Sequence, residues 1–271
     1  MIQYLYLGRV SYDEGLRLQA EIAALVAEGR LQNVMLLLEH PPVLTLGRNA
    51  DRSNILASDE LLARRGVAVH EINRGGDVTY HGPGQLVGYP IFDLRTLRAP
   101  SGGRMGPVDF VRGMEEALIR LCGGLGVRAG RICGLTGVWC PADNGAERKI
   151  AAIGIHVARG ITSHGFAFNA TTNLSDFALI VPCGIADHEV TSLQQEVKNP
   201  ESLPTLEDLA HHAARCFRQV FGEQVLAVES LAALRAQAEA APPQFPAEDT
   251  PLQVPAEIER LLGCAERPTR A

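Results

Sequence analysis

Lysine occurs only twice in 271 residues, at Lys149 and Lys198, while arginine supplies the other 23 positive charges. Where charge alone is wanted this chain uses arginine. A retained lysine is therefore a candidate for giving up a proton, which a guanidinium cannot do. Lys149 stands in Arg148-Lys149-Ile150-Ala151-Ala152-Ile153-Gly154-Ile155-His156. On a strand it shares a face with Ala151, Ile153 and Ile155, and the small residues 151, 152 and 154 leave room beside it. Apolar crowding favours the uncharged amine. An edge-strand lysine reaching out to water is the plainer alternative.

A nucleophile is sought among six cysteines, Cys122, Cys133, Cys140, Cys183, Cys216 and Cys264, which form no CxxC pair. That spacing argues against structural zinc or a disulfide framework, so most should be buried small hydrophobes. Cys183 differs: Pro182 before it and Gly184 after it set the thiol on a constrained turn. Such a turn can offer backbone N–H groups to a developing oxyanion. The thiol also needs a base or a neighbouring cation to favour the thiolate. Lys149 could supply this. His81, His156 or His164 could do so instead, in a cysteine hydrolase.

Two further segments are rich in glycine. In Arg74-Gly75-Gly76-Asp77-Val78-Thr79-Tyr80-His81-Gly82-Pro83-Gly84-Gln85, four glycines within eleven positions let backbone approach a ligand closely. The spacing matches neither a dinucleotide fingerprint nor a phosphate loop. It reads as a binding loop with a structural turn as the alternative, and His81 alone fits either. Ser163-His164-Gly165-Phe166-Ala167-Phe168-Asn169 reads as a strand lining the same pocket. There His164 and Asn169 either fix a substrate carbonyl or satisfy backbone groups.

The elements that must carry these residues follow from periodicity. Strands are expected at 2–7, 33–39 and 43–46, near 67–72, and at 86–93, 137–140, 150–157 and 161–168. The last two join as a hairpin through Arg159-Gly160. Helices are expected at 12–28, 58–65, 108–125 and 206–220, and 74–84 is expected to be a loop-rich core segment. Hairpins mixed with helices, and no internal repeats, indicate an α+β fold. After about residue 240 the composition turns to Pro, Ala, Glu and Gln, which reads as a loosely packed or disordered tail. The expected division is thus a catalytic domain at 1–240 and a tail at 241–271.

With 46% apolar residues the chain can bury a sizeable core, and its net charge of −6 argues against a nucleic-acid binder. The N-terminus lacks a signal-peptide pattern, and no apolar run is long enough to span a membrane. The expectation is a cytoplasmic protein.

Taken together, 74–85, 149–154, 164–169 and 182–185, in this order, resemble the bacterial lipoyl(octanoyl) transferases, over about residues 4–220. The resemblance implies a biotin/lipoate protein ligase-like fold, with a mixed, mostly antiparallel sheet flanked by helices. It implies that Cys183 carries an acyl thioester and that Lys149 assists the thiol and relays protons. It also implies substrate binding by Arg74, Gly75, Gly76, Asp77, Val78, Thr79, Tyr80 and His81, by Ala152, Ile153 and Gly154, and by Gly165, Phe166 and Ala167. The implied donor is octanoyl-acyl carrier protein. The implied acceptors are lipoyl domains of 2-oxoacid dehydrogenase E2 subunits and the glycine-cleavage H protein, with no cofactor or metal. Two positions depart from the pattern: Ala152 stands where serine is common, and Asn173 where aspartate is common. An ATP-dependent lipoate or biotin ligase and a non-catalytic lipoyl-domain or carrier-protein binder are the rival readings.

Overall fold

The computed structural model describes residues 1–142, 145–181 and 189–242. Its scaffold is a mixed sheet of nine strands. Strand β1 (Ile2–Arg9) leads into helix α1 (Tyr12–Ala27), capped by Ser11, whose side chain accepts from Glu14 N. Strand β2 (Asn33–Glu39) returns parallel to β1. A second sheet of three strands holds β3 (Val43–Leu46), β4 (Ala68–Glu71) and β5 (Val78–His81), with helix α2 (Asp59–Arg64) between the first two in sequence.

Strand β6 (Gln85–Ile91) then pairs antiparallel with β2 in the large sheet, and helix α3 (Pro107–Gly124) follows, opening on Pro107. Strands β7 (Gly130–Ile132), β8 (Leu135–Pro141), β9 (Glu147–Ala158) and β10 (Ile161–Asn169) run antiparallel to their neighbours. The short β11 (Glu189–Val190) pairs parallel with β9. Helix α4 (Leu193–Glu196), helix α5 (Leu206–Phe221), strand β12 (Val225–Ala227) and helix α6 (Leu231–Ala240) complete the described chain. The order across the large sheet is β12-β1-β2-β6-β10-β9-β8-β7.

Two apolar layers cover the large sheet. Helices α3 and α5 cover one face, where Phe110, Met114, Leu118, Leu209, Ala213 and Phe217 meet Leu37, Leu86, Val138, Ile150 and Phe168. Helices α1 and α6 cover part of the other, where Leu18, Ile22 and Leu234 meet Leu36, Val87 and Ile91. The small sheet has its own core of Leu44, Leu46, Val78, Tyr80 and Phe177.

The α+β expectation and the β9–β10 hairpin agree with this architecture. Arg159 and Gly160, with φ of 52° and 81°, form the two-residue turn, and Ala158 pairs with Ile161. Within the loop-rich 74–84 stretch, Val78, Thr79, Tyr80 and His81 form β5, a strand without a sequence signal of its own, buried and paired with β3. Strands β7, β11 and β12 and helices α4 and α6 have no expectation in the sequence, being too short or too rich in alanine to show a period. The reading of 241–271 as a tail lies almost wholly outside the described residues.

Candidate active site

Where the second sheet meets β6, β10 and β9 there is a cavity of about 200 Å³. Its floor depends on missing side chains. A Cβ on Gly154 would lie 2.7 Å from the Gly75 carbonyl oxygen, and one on Gly165 would lie 2.2 Å from that of Gly88. Neither oxygen can swing away as a side chain could, so glycine at both positions lets the Arg74-Gly75 segment close on β9 and β6 close on β10. The Arg74-Gly75 segment crosses β9 there, and Gly75 N donates to Ile155 O at 2.9 Å.

Arg74 itself is buried. Its guanidinium donates to the Thr45 carbonyl at 2.7 Å, to Thr45 Oγ1 at 2.8 Å and to the Gly75 carbonyl at 3.0 Å. These bonds bind the loop to β3 while the guanidinium also faces the cavity. Strand alternation sorts the residues that follow. Thr79 and His81 turn toward the cavity. Val78 and Tyr80 turn into the core of the small sheet, where the Tyr80 hydroxyl donates to Asp176 Oδ2 at 2.9 Å. Burial, with that carboxylate beside it, raises the Tyr80 phenol pKa.

Lys149 lines the cavity and is only 7% exposed. Its Nζ lies 4.6 Å from the centroid of the Trp139 ring, within cation–π range. The face expected for Lys149 is the wrong one. In the β8–β9 register Trp139 pairs with Lys149 while Val138 pairs with Ala151, so one step on β8 spans two on β9. Ile150 is the extra residue of a β-bulge. Ile150 and Ala151 both enter the α3–α5 core, and Lys149 moves to the face of Ala152 and Gly154. Gly137, with φ of 130°, leaves the lysine stem its space: a Cβ there would lie 3.3 Å from Lys149 Cε and 2.7 Å from Ala151 O. The Gly137 N–H is held at 3.1 Å by Glu115, a fully buried carboxylate also gripped by Arg112 and Arg131.

Cys183 lies outside the described residues, but the chain on either side of it is described. Val181 N donates to Asn54 O at 2.7 Å, and Asn54 Nδ2 donates to Asp77 Oδ2 at 2.6 Å, at the cavity wall. On the other side Val190 pairs with Lys149, and Thr191 N donates to the Lys149 carbonyl at 2.9 Å.

Three histidines adjoin the cavity, and burial lowers the pKa of each. His40 falls to about 4 through desolvation, against its bond to the Val10 carbonyl. Desolvation, reinforced by His40, takes His81 to about 3. His164 falls to about 4 through desolvation, with Arg74 adding to it. All three are neutral at pH 7. His164 Nε2 meets Asn73 Oδ1 at 2.8 Å, and Asn169 Nδ2 donates to the Thr191 carbonyl at 2.9 Å. The side chains of His164 and Asn169 are thus engaged within the protein.

Residues 11–218 match the family model described as the lipoyl protein ligase A/B catalytic domain. The chain belongs to that family. Within it, the chain is 60% identical over 233 residues to an octanoyltransferase of Acidobacterium capsulatum, covering 85% of this chain and 94% of that protein. It is 52% identical over 261 residues to an octanoyltransferase of Koribacter versatilis, covering 96% and 97%. The archaeal bi-partite lipoate protein ligase of Thermoplasma acidophilum has the same fold, with a TM-score of 0.64 at 16% identity over 89% of this chain and 91% of that one.

Of the residues that the family resemblance picks out, Arg74, Gly76, Asp77, Thr79, His81, Lys149, Ala152, Ile153, Gly154, Gly165, Phe166 and Ala167 line the one cavity. Gly75 supports the wall by its backbone, and Val78 and Tyr80 face away from it. Tyr12, Tyr89 and the Gly134-Leu135-Thr136 segment also line the cavity and were not foreseen. For the last, the close pair Gly134 and Gly137 was a usable signal. For Tyr12, on the first turn of a helix remote in sequence, there was none. Of the other cysteines, Cys122, Cys140 and Cys216 are buried and Cys133 is exposed. Burial pushes the Cys140 thiol up to about 12. Asn173 caps the turn of 3₁₀ helix at Leu174–Leu179 by accepting from Ser175 N, a task an aspartate does equally well.

Proposed function

We propose that this chain, an acyltransferase of the octanoyltransferase type, moves an octanoyl group from acyl carrier protein to a lysine of a lipoyl domain, in the cytoplasm, by way of a thioester on Cys183. The acceptors are lipoyl domains of 2-oxoacid dehydrogenase E2 subunits and the glycine-cleavage H protein. The catalytic domain is 1–240. The observation that carries the site assignment is Lys149: one of two lysines in the chain, it is buried at the cavity wall beside the strand that follows the Cys183 segment.

Passing an acyl group from one thioester to another costs little. The second step is harder, because an acceptor lysine of pKa about 10.4 must be neutral to attack, at roughly 4–5 kcal/mol at pH 7. Lys149 balances both steps. As an ammonium it favours the Cys183 thiolate and gives its proton to the carrier-protein thiolate that leaves on acylation; then, as an amine, it takes the proton the attacking nitrogen must shed. Arginine could only favour the thiolate. Because the donor is already activated, the reaction needs no ATP. The family's three segments bind the substrate: Arg74, Gly75, Gly76, Asp77, Val78, Thr79, Tyr80 and His81; Ala152, Ile153 and Gly154; and Gly165, Phe166 and Ala167. Gly75, Val78 and Tyr80 contribute by shaping the wall.

Intact mass spectrometry tests the reading. Octanoyl-carrier protein without ATP should leave an octanoyl mass on the wild type and none on Cys183→Ala, and that mass should move to an added apo lipoyl domain. Modification only with free octanoate and ATP would make the chain a ligase.

A further inference from the structure

A chain of buried polar groups runs from His81 to β11, and its hydrogens admit one arrangement. The Thr191 carbonyl can only accept, so Asn169 turns Nδ2 toward it, at 2.9 Å. Asn169 Oδ1 can then only accept, and Gln85 meets it with Nε2 at 2.9 Å, which also donates to the Tyr80 carbonyl at 3.1 Å. Gln85 therefore presents Oε1 to His81 Nδ1, at 2.8 Å. An amide oxygen accepts, so Nδ1 carries the hydrogen and the neutral ring keeps its lone pair on Nε2. The ring is held parallel to Tyr12, at a centroid distance of 6.1 Å, and edge-on to His40 at 5.9 Å. Among the described residues no hydrogen bond reaches Nε2, and the ring lines the cavity.

A lone pair fixed in this way selects between the two substrates. The thioester group offers a carbonyl oxygen and a sulfur, neither of which can donate. The acceptor amine offers N–H. We propose that His81 Nε2 receives an N–H of the incoming lysine amine, so that His81 serves the second half-reaction, and that Gln85 is the positioning residue that fixes its tautomer. This rests on the two-step reading above. In that step the amine nitrogen attacks the acyl carbon, the C–N bond forms and the C–S bond to Cys183 breaks. The sulfur leaves as thiolate and the surplus proton of the nitrogen passes to Lys149. His81 exchanges no proton: it aims the nitrogen.

The two half-reactions can be followed separately by intact mass, as loading from octanoyl-carrier protein and as transfer from isolated acyl-enzyme to an apo lipoyl domain. Gln85→Met should load within about threefold of the wild-type rate, whereas His81→Leu, at a residue of the cavity wall, should slow transfer at least about tenfold more than it slows loading. Transfer should slow by about 10- to 100-fold, the scale of one lost buried hydrogen-bond partner. Long-range proton–nitrogen spectra of the wild type should show His81 with its hydrogen on Nδ1, and Gln85→Met should mix the tautomers, which a merely structural role for Gln85 would not do. Equal slowing of both steps, or slowed loading alone, would overturn the assignment. So would a hydrogen on Nε2 in the wild-type spectrum, a result that stands even if both variants fail to fold. A wild type that never loads would remove the two-step reading itself, and this assignment with it.

Discussion

On the α3–α5 side of the large sheet, Phe92, Phe110, Phe217 and Phe221 meet with ring centroids 5.4–6.2 Å apart. The cavity side, on the opposite face, is built from glycines, alanines, three neutral histidines and a run of directed hydrogen bonds. The first region is held by area removed from water, which is non-directional and tolerant of detail. The second encloses space, so its buried polar groups are held by named partners, as in the run from His81 Nδ1 to Thr191. Stability and chemistry are thereby assigned to different faces of one sheet, and β9 joins them: its bulge at Ile150 puts Ile150 and Ala151 into the aromatic core and Lys149 into the cavity.

Substitutions on the two faces should therefore fail differently. Lys149→Met keeps the stem and removes the charged nitrogen. Transfer should fall by about 10²–10⁴-fold, the usual contribution of a general acid–base group, while stability changes by under about 2 kcal/mol, the cation–π contact with Trp139 being the main loss. Phe217→Ala should do the reverse. Truncating a fully buried phenylalanine costs about 3–5 kcal/mol, a fall in Tm of order 10 °C at this chain length, with turnover per folded molecule within about twofold of wild type. Thermal melts alongside single-turnover transfer assays separate the two. A Phe217→Ala protein that melts normally but transfers slowly would break the division of labour.

The division was partly legible in the sequence. Amphipathic helices, the Arg159-Gly160 hairpin and the glycine-rich motifs all leave local patterns, and those motifs do converge on one cavity. What escaped has physical causes. The four-residue strand at Val78–His81 is hidden by glycines on both sides, and its pairing with β3 comes from residues more than thirty positions earlier. The face of Lys149 is set by a bulge, and an extra residue in a ladder leaves no mark when it and the residue after it, Ile150 and Ala151, are both apolar. Tyr12 and Tyr89 reach the cavity through tertiary packing alone. Cys183 was singled out by its proline and glycine neighbours, a signal that does not depend on the surrounding fold.

Acid should give a smaller and graded effect that sharpens the comparison. His40, His81 and His164 lie on the cavity side with pKa values of about 4, about 3 and about 4 in the folded protein, each lowered chiefly by desolvation. An unfolded histidine titrates near 6.5. Above that pH both states are neutral and the contribution to stability is complete. As pH falls from about 6.5 to 4 the unfolded chain takes up protons that the native state refuses, so stability declines with a slope of up to three protons and levels off below about pH 3. The geometry says which face yields first. His40 Nδ1 donates to the Val10 carbonyl and Nε2 accepts from the Tyr89 hydroxyl at 2.6 Å, so a second ring proton requires that hydroxyl to turn from donor to acceptor. The phenylalanine cluster of the other face has no histidine among its own ring contacts. Trp139 is the sole tryptophan and lies against Lys149, so its fluorescence reports on the cavity. On lowering the pH through 6.5 to 4, that fluorescence should shift before the far-ultraviolet circular dichroism is lost. Coincident transitions would mean that the two faces unfold as one unit, however differently they are built.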